Sequence, residues 1–401
     1  MKKKNELIKF KGLYFCTYAA LGVLNPLIGQ YLSSIGFSGT QIGTVTAVGT
    51  AVAIFASTFW GDRYSNSRDG RKVILFLCAA AAVMGIVNSF VTAFALFTAA
   101  YGIMYFFHGP VNGLTDAMVL ERNQEDFAQV RLCGAVGYAA AVFVGGRIGG
   151  WLGLGNIFYI YAGAFLAAAA IIMTIGQRVS VGDSQTSRAA AGESAGKSGE
   201  KVRYSELLHD RKTIELILCG IFVMGTNVAN NTYFSFLFRD GGGTVAGVGT
   251  IFLLMVGSEA PFMALAPKIS RKLSQEKTIV LAMALSAVRF GWYAFGPSWQ
   301  MLMALFFLQG MVNGILLVEY VKYISAVVEP RLIGIAVSAY YAVSSNVGSI
   351  LCNFFGGVAM DHFGSVGVYG LFSLFNAAGV ALYLLFGLHK PKKSGEELER
   401  I

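Results

Sequence analysis

The sequence predicts an all-α membrane protein: twelve transmembrane helices in two pseudo-symmetric six-helix domains. Three observations carry that expectation. The 401 residues are 55% hydrophobic and only 13% charged, whereas a soluble domain carries roughly 25% charged residues. Twelve apolar runs recur along the chain, and a spanning helix needs about 20 such residues to cross a hydrocarbon core ~30 Å thick. The runs fall six and six about one long polar stretch.

The first six runs cover roughly 11–33, 40–60, 73–91, 95–120, 131–153 and 155–176. The second six cover roughly 212–237, 245–267, 278–296, 300–326, 334–359 and 367–388. Gly, Asn and Pro interrupt several of them, which membrane helices tolerate where neighbours re-satisfy the backbone. Between the sets lies QRVSVGDSQTSRAAAGESAGKSGEKVRYSELLHDRK, whose Ser, Gly, Ala and charge read as a flexible linker. The expected division is an N-terminal six-helix domain over 1–176, a cytoplasmic linker over 177–211, and a C-terminal six-helix domain with a short cytoplasmic tail over 212–401.

The halves repeat weakly. GFSGTQIGTVTAVGT enters the second run and GGGTVAGVGTIFLLM the eighth. VGGRIGGWLGLGNIFYIYAG joins runs five and six; FGGVAMDHFGSVGVYGLFS joins eleven and twelve. Internal repeats of this kind go with a solute site near the membrane midplane, between the halves.

Basic residues set the topology. With both termini inside, 26 of the 31 Lys and Arg fall in cytoplasmic segments, and the opposite loops hold little beyond Arg147 and Arg239. This is the positive-inside signature, and it implies a multi-pass protein of a bacterial inner (cytoplasmic) membrane. It also accounts for the net charge of +9 without nucleic acid. No Lys-rich stretch with an A-x-A site precedes the first run, so no cleaved signal peptide is expected. Cys16, Cys78, Cys133, Cys219 and Cys352 are scattered singly, which is neither a disulfide framework nor a metal box. No P-loop, H-E-x-x-H or G-x-S-x-G is present, which argues against an enzyme or a primary pump.

Few ionisable residues lie inside the runs, and those that stand out are Asp116, Arg131, Glu259, Arg289, Glu319 and Lys322, with His108 the one intramembrane histidine. A charge at the bilayer centre costs at least ~2.5–3.5 kcal/mol, so such residues usually face an interior cavity and have a task. Asp116 and Arg131 bracket a short loop, so their helices are neighbours and the two can pair as a substrate-binding and coupling unit. The alternative is a structural Asp116 with Arg131 snorkelling to the headgroups. Glu259 has no base within a turn and is a proton-coupling candidate; the alternative is a hydrogen-bonded, permanently protonated acid. Arg289 lies too far from a loop to snorkel, and Glu259 is its natural counter-ion. Glu319 and Lys322 are three apart and can pair along one helix face, as a coupling route or as a structural bond. A carboxylate balanced between desolvation and a nearby cation can gain and lose a proton as a cavity opens to alternate sides.

Neutral polar residues extend the set. Gln309 and Asn313 stand four apart, as do Asn227 and Asn231 with Asn230 between them; such amides bind a solute or join helices. Tyr138, seven after Arg131, can stack on a ring-shaped solute or simply pack. The same run carries Gly134, Gly137, Gly145, Gly146, Gly149 and Gly150, a small-residue surface for close helix approach.

FWGDRYSNSRDGRKVIL resembles the signature G-x-x-x-D-R-x-G-R-[RK] of the major facilitator superfamily, as do the twelve runs, the six-plus-six split and the basic central loop. Asp62 and Arg63 fit its acid and base, and Gly70, Arg71 and Lys72 its end, although the Asp-to-Gly interval is longer here. The resemblance implies a conformational latch at Asp62, Arg63, Gly70 and Arg71. LYFCTYAALGVLNPLIGQYLSSIGFSGTQIG, VRLCGAVGYA, SEAPFMALAP, SAVRFG and VKYISAVVEPRLIG resemble the branch of lactose permease, the oligosaccharide–proton symporters and the phenylpropionate permease. That likeness implies that Arg131 binds substrate with Asp116 as partner, that Tyr138 is the stacking aromatic and that Arg289 is the coupling arginine. Where lactose permease carries a lysine, histidine and glutamate on helix ten, this chain has Phe306, Gln309 and Val312. Coupling is then expected through Glu259 or Asp116, with Glu319 a lesser route. GGRIGG lacks the proline of the G-P-x-x-G-G element of drug antiporters, which favours import.

The expected activity is alternating-access, proton-coupled symport of a small polar solute such as a saccharide. The proton gradient takes the place of any cofactor, and the expected partners are the solute and membrane lipid, with the protein a monomer. Alternatives are an importer of aromatic acids or nucleosides, an exporter of drugs or metabolites, and a non-transporting sensor, against which the short tail KPKKSGEELERI argues.

Overall fold

The computed structural model describes residues 2–122, 126–176, 211–329 and 332–389. The expected linker, apart from Arg211, and the tail from Lys390 lie outside the described residues, as does Arg331. Among the described residues there are helices and no strands.

The first pass is α1 (Lys2–Leu24) and α2 (Ile28–Ser34). One helix was expected here, but Pro26 lacks an N–H and its ring clashes with the preceding turn, so the run breaks. α3 (Gly39–Ser65) and α4 (Gly70–Asn88) follow. The fourth run is likewise two helices, α5 (Phe94–His108) and α6 (Val111–Arg122), parted at Gly109 and Pro110. α7 (Phe127–Leu152) and α8 (Asn156–Thr174) complete six passes.

The second set opens with α9 (Arg211–Asp240), α10 (Val245–Leu273) and α11 (Gln275–Tyr293). The tenth run divides into α12 (Trp299–Ala304) and α13 (Phe307–Val327). The eleventh contains α14 (Ile333–Tyr340), a π-helical turn over Tyr341–Val347 and the start of α15 (Gly348–Leu385). At 1.5 Å per residue α15 would reach ~57 Å, nearly twice the hydrocarbon core. Gly364, at φ 66°, splits it. Gly348 packs on Gly225 of α9 while Gly379 packs on Val223, so the two limbs run side by side as a hairpin. Twelve passes result, as the sequence predicts.

The repeat is visible in the caps. Ser38 accepts from Gln41 N at 3.3 Å at the head of α3, and Thr244 accepts from Gly247 N at 3.1 Å at the head of α10. Large apolar side chains such as Phe55, Phe76, Phe90, Leu166, Val288 and Leu374 are exposed, while Asn227, Asn230, Arg289, Gln309, Asn353 and Asn376 are buried. Apolar outside and polar inside is the arrangement lipid demands.

α1 packs against α7 and α8 in the first half; α9 packs against α15, and α10 against α13, in the second. The halves meet along two seams, α3 with α15 and α7 with α10. Both are tight at the end that carries Gly36, Gly153 and Gly242. There a Cβ on Gly43 would run into Asn353 O, and one on Gly146 would come within 3.0 Å of Gly249 Cα. Gln30 Nε2 donates to Ser235 O at 2.8 Å across the same end. Toward the other end, Arg131 of one half and Tyr341 of the other are electrostatic neighbours. Their side chains are 60% and 38% exposed, so the space between the halves opens there.

Candidate substrate and coupling site

The site is built from the faces that flank this opening. In the first half, Tyr14 on α1 donates to Asp116 Oδ1 on α6, and Arg131 on α7 lies 3.8 Å from Asp116 Oδ2. The expected pair therefore forms, with a third member that the sequence did not reveal. Tyr18 stacks on Tyr14 at 5.9 Å between ring centroids, Phe127 meets Tyr14 edge-on at 6.5 Å, and the Arg131 guanidinium sits 5.9 Å from the Phe127 ring. An ion pair bordered by three aromatic faces can hydrogen-bond a polar ring and stack on it. Glycines bring α1 within reach of α7: the Gly137 backbone lies against Phe15 and Gly134 against the Tyr18 ring.

The second half differs from expectation. Arg289, 1% exposed, does not pair with Glu259. It donates to Gln309 Oε1 and, at 2.7 Å, to Asn227 Oδ1, while its guanidinium lies 4.3 Å from the Phe290 ring. Its Nε has no partner, and among the described residues no carboxylate forms an ion pair with it. The reason is placement: α11 directs Arg289 toward α9 and α13, whereas Glu259 on α10 faces α13 and α7. Glu259 accepts from Asn313 Nδ2 at 3.0 Å and is an electrostatic neighbour of Tyr138 across the seam. Close packing makes that possible: a Cβ on Gly310 would run into Ser258 Oγ, and one on Gly314 would lie 2.8 Å from Glu259 O.

Asn227 also donates to Ser286 Oγ at 3.1 Å, so α9, α11 and α13 are tied at one level. Asn230 instead accepts from Tyr369 Oη at 2.8 Å, and Asn231 is half-buried with no hydrogen bond among the described residues. Glu319 is fully buried and pairs with Lys322 at 3.3 Å, apart from the Arg289 cluster. His108 is buried against Tyr161, whose hydroxyl is 3.1 Å from Nδ1.

The latch motif is rearranged. Arg71 pairs with Asp69 at 2.8 Å and donates to Ile175 O at the end of α8. Asp69, inside the long Asp-to-Gly interval, thus supplies the acid next to Arg71. Arg63 lies 4.4 Å from the Phe59 ring. A Cβ on Gly70 would run into the Tyr64 ring, so this position requires glycine.

Comparison with known proteins converges on one kind of molecule. The model of the MFS_1 like family matches residues 7–371. The chain is 28% identical to a maltose permease of Geobacillus stearothermophilus, over 97% of this chain and 96% of the other. It is 27% identical to the uncharacterized transporter YwbF of Bacillus subtilis (strain 168), over 100% and 98%. The crystal structure of the nucleoside transporter NupG superposes with a TM-score of 0.82 at 17% identity, over 97% of this chain and all of that one.

Proposed function

From the premise that the chain belongs to the MFS_1 like family and is a multi-pass membrane transporter of that type, we propose that it is a proton-coupled symporter of a small polar solute, working by alternating access. One observation carries the reading. Two carboxylates, Asp116 and Glu259, stand on opposite halves and border one opening, each bonded to groups that can exchange a solute or a proton. The positive-inside pattern makes the open end cytoplasmic, so this conformer faces inward. In the cycle, Glu259 takes a proton while the opposite end is open, and the neutral acid permits solute to load between Arg131, Asp116 and Tyr138. Rocking of the halves then exposes both to the cytoplasm, where loss of the proton releases the solute.

The likeness to a maltose permease supports a saccharide, and the shared fold with NupG puts nucleosides on the same panel. Arg289, a buried cation without a carboxylate, favours a second reading, an aromatic acid whose carboxylate would supply the missing charge. The test is uptake into proteoliposomes of labelled sugars, nucleosides and aromatic acids, with and without an inward proton gradient. Gradient-driven accumulation of one class, abolished by Arg131→Gln, is the expected result. If folded protein accumulates nothing on the panel, or accumulates a solute regardless of the gradient, symport is wrong.

A further inference from the structure

A helix begins with four backbone N–H groups that lack intrahelical partners. In α3 all four are satisfied, in two different ways. The capping box handles two of them within the first half: Ser38 N donates to Gln41 Oε1 at 3.0 Å and Gln41 N to Ser38 Oγ at 3.3 Å. The other two are met from the opposite half. Gly39 N donates to Asp361 Oδ1 and Thr40 N to Asp361 Oδ2, the latter at 2.8 Å. Asp361 stands on the first limb of α15, and the backbones touch beneath it, where Gly39 lies against Gly357. The contact joins residues 322 apart, and it cannot survive separation of the halves at this end.

We propose that Asp361 is a state-specific latch: its carboxylate caps α3 only while this end is closed, and so biases the transporter toward the conformer described here. Separation strips Gly39 and Thr40 of their acceptor and takes the Asp361 carboxylate away from the helix N-terminus. Both effects oppose opening, because a carboxylate on backbone N–H groups makes a charge-assisted bond and favours a helix N-terminus.

The second seam lacks the device. Aligning the repeat at Gly146 and Gly357 places Gly150 where Asp361 stands. A Cβ on Gly150 would lie 3.7 Å from Ala246 N, in the first turn of α10, with no contact closer than that. Thr244 caps that helix from within its own half, and the N-half offers glycine where an acid would fit.

The proposal rests on the two halves moving about the seam, but its test needs no solute. Spin labels are placed at Ser33→Cys and Gln300→Cys, both exposed at the closed end on opposite halves, in a background without the five native cysteines. Pulsed distance measurement then gives the ratio of open to closed populations. Asp361→Asn and Asp361→Ala are each expected to raise that ratio about tenfold, the equivalent of 1.4 kcal/mol. Gly150→Asp is expected to lower it. Thr244→Ala, which removes a cap within one half, is expected to leave it unchanged. The idea is overturned if folded, monodisperse Asp361 variants stay within twofold of wild type, or if Thr244→Ala shifts the ratio as much as they do. Should Asp361→Asn not be recovered, Asp361→Ser gives the same comparison. An uptake panel that finds no solute leaves this measurement standing, and an unmoved ratio leaves the transport reading standing.

Discussion

The two halves hold their charges in opposite ways. In the first, Asp116 and Arg131 face each other at 3.8 Å with the arginine 60% exposed. Water screens such a pair, and it is worth about 0–1 kcal/mol. In the second, Arg289 is buried and gripped by two amides, while the acid, Glu259, is bonded to a third. A screened pair parts and rejoins at little free-energy cost. A buried guanidinium cannot leave without orphaning Asn227 and Gln309, each at about 1–3 kcal/mol. On the proposed function the first half is the adjustable side of the site. The second is the fixed side, with one acid, Glu259, that no cation among the described residues pairs with.

The largest effect that would sharpen this contrast is on coupling. With an inward gradient of two pH units and one proton per solute, wild-type protein is expected to accumulate solute about 100-fold. Glu259→Gln keeps an oxygen for Asn313 but carries no proton, so it should only equilibrate the solute, with counterflow retained. Counterflow lost together with accumulation would move Glu259 from coupling to solute binding. Accumulation kept at the wild-type level would pass the coupling role to another acid.

Stability separates the halves next. Arg289→Lys replaces a planar fork by a point charge that cannot hold both amides, and is expected to lower unfolding free energy in detergent by about 3 kcal/mol. Asp116→Asn should lower it by less than about 1 kcal/mol and still depress transport. Equal losses in the two variants would erase the distinction between an adjustable and a fixed side.

The same contrast explains what the sequence disclosed. Asp116 and Arg131 flank one short loop, so their helices had to be neighbours and the pair was legible. Arg289 was legible as an intramembrane cation, but its partners lie 62 and 20 residues away on two other helices. Choosing Glu259 as counter-ion applied charge complementarity where helix rotation decided the outcome. Tyr14 carried no signal, because a tyrosine in an apolar run reads as packing until a carboxylate is found beside it. The twelve passes followed from hydropathy alone. The breaks at Pro26 and Pro110 had a visible cause, whereas nothing in YAVSSNV announced the π-helical turn over Tyr341–Val347, a feature that often marks functional sites.

An ion pair outside both half-sites gives the smallest effect and calibrates the others. Asp69 caps α4 and meets Arg71 through two bonds of 2.8 Å, and that guanidinium holds the Asp69 carboxyl below its ordinary value. A carboxyl lowered in the folded state adds stability above its unfolded value, near ~3.9, and the contribution disappears as pH falls through the lower folded value. Asp69→Asn preserves a good N-cap and removes only the charge. Its stability should therefore sit no more than about 1 kcal/mol below wild type at pH 7, and the two unfolding curves should converge as pH drops below that of a free carboxylate. Curves that stay parallel to low pH would assign the effect to the cap. The Asp116→Asn loss would then need the same scrutiny, because an ion pair of closer geometry than Asp116–Arg131 would have shown no electrostatic signature.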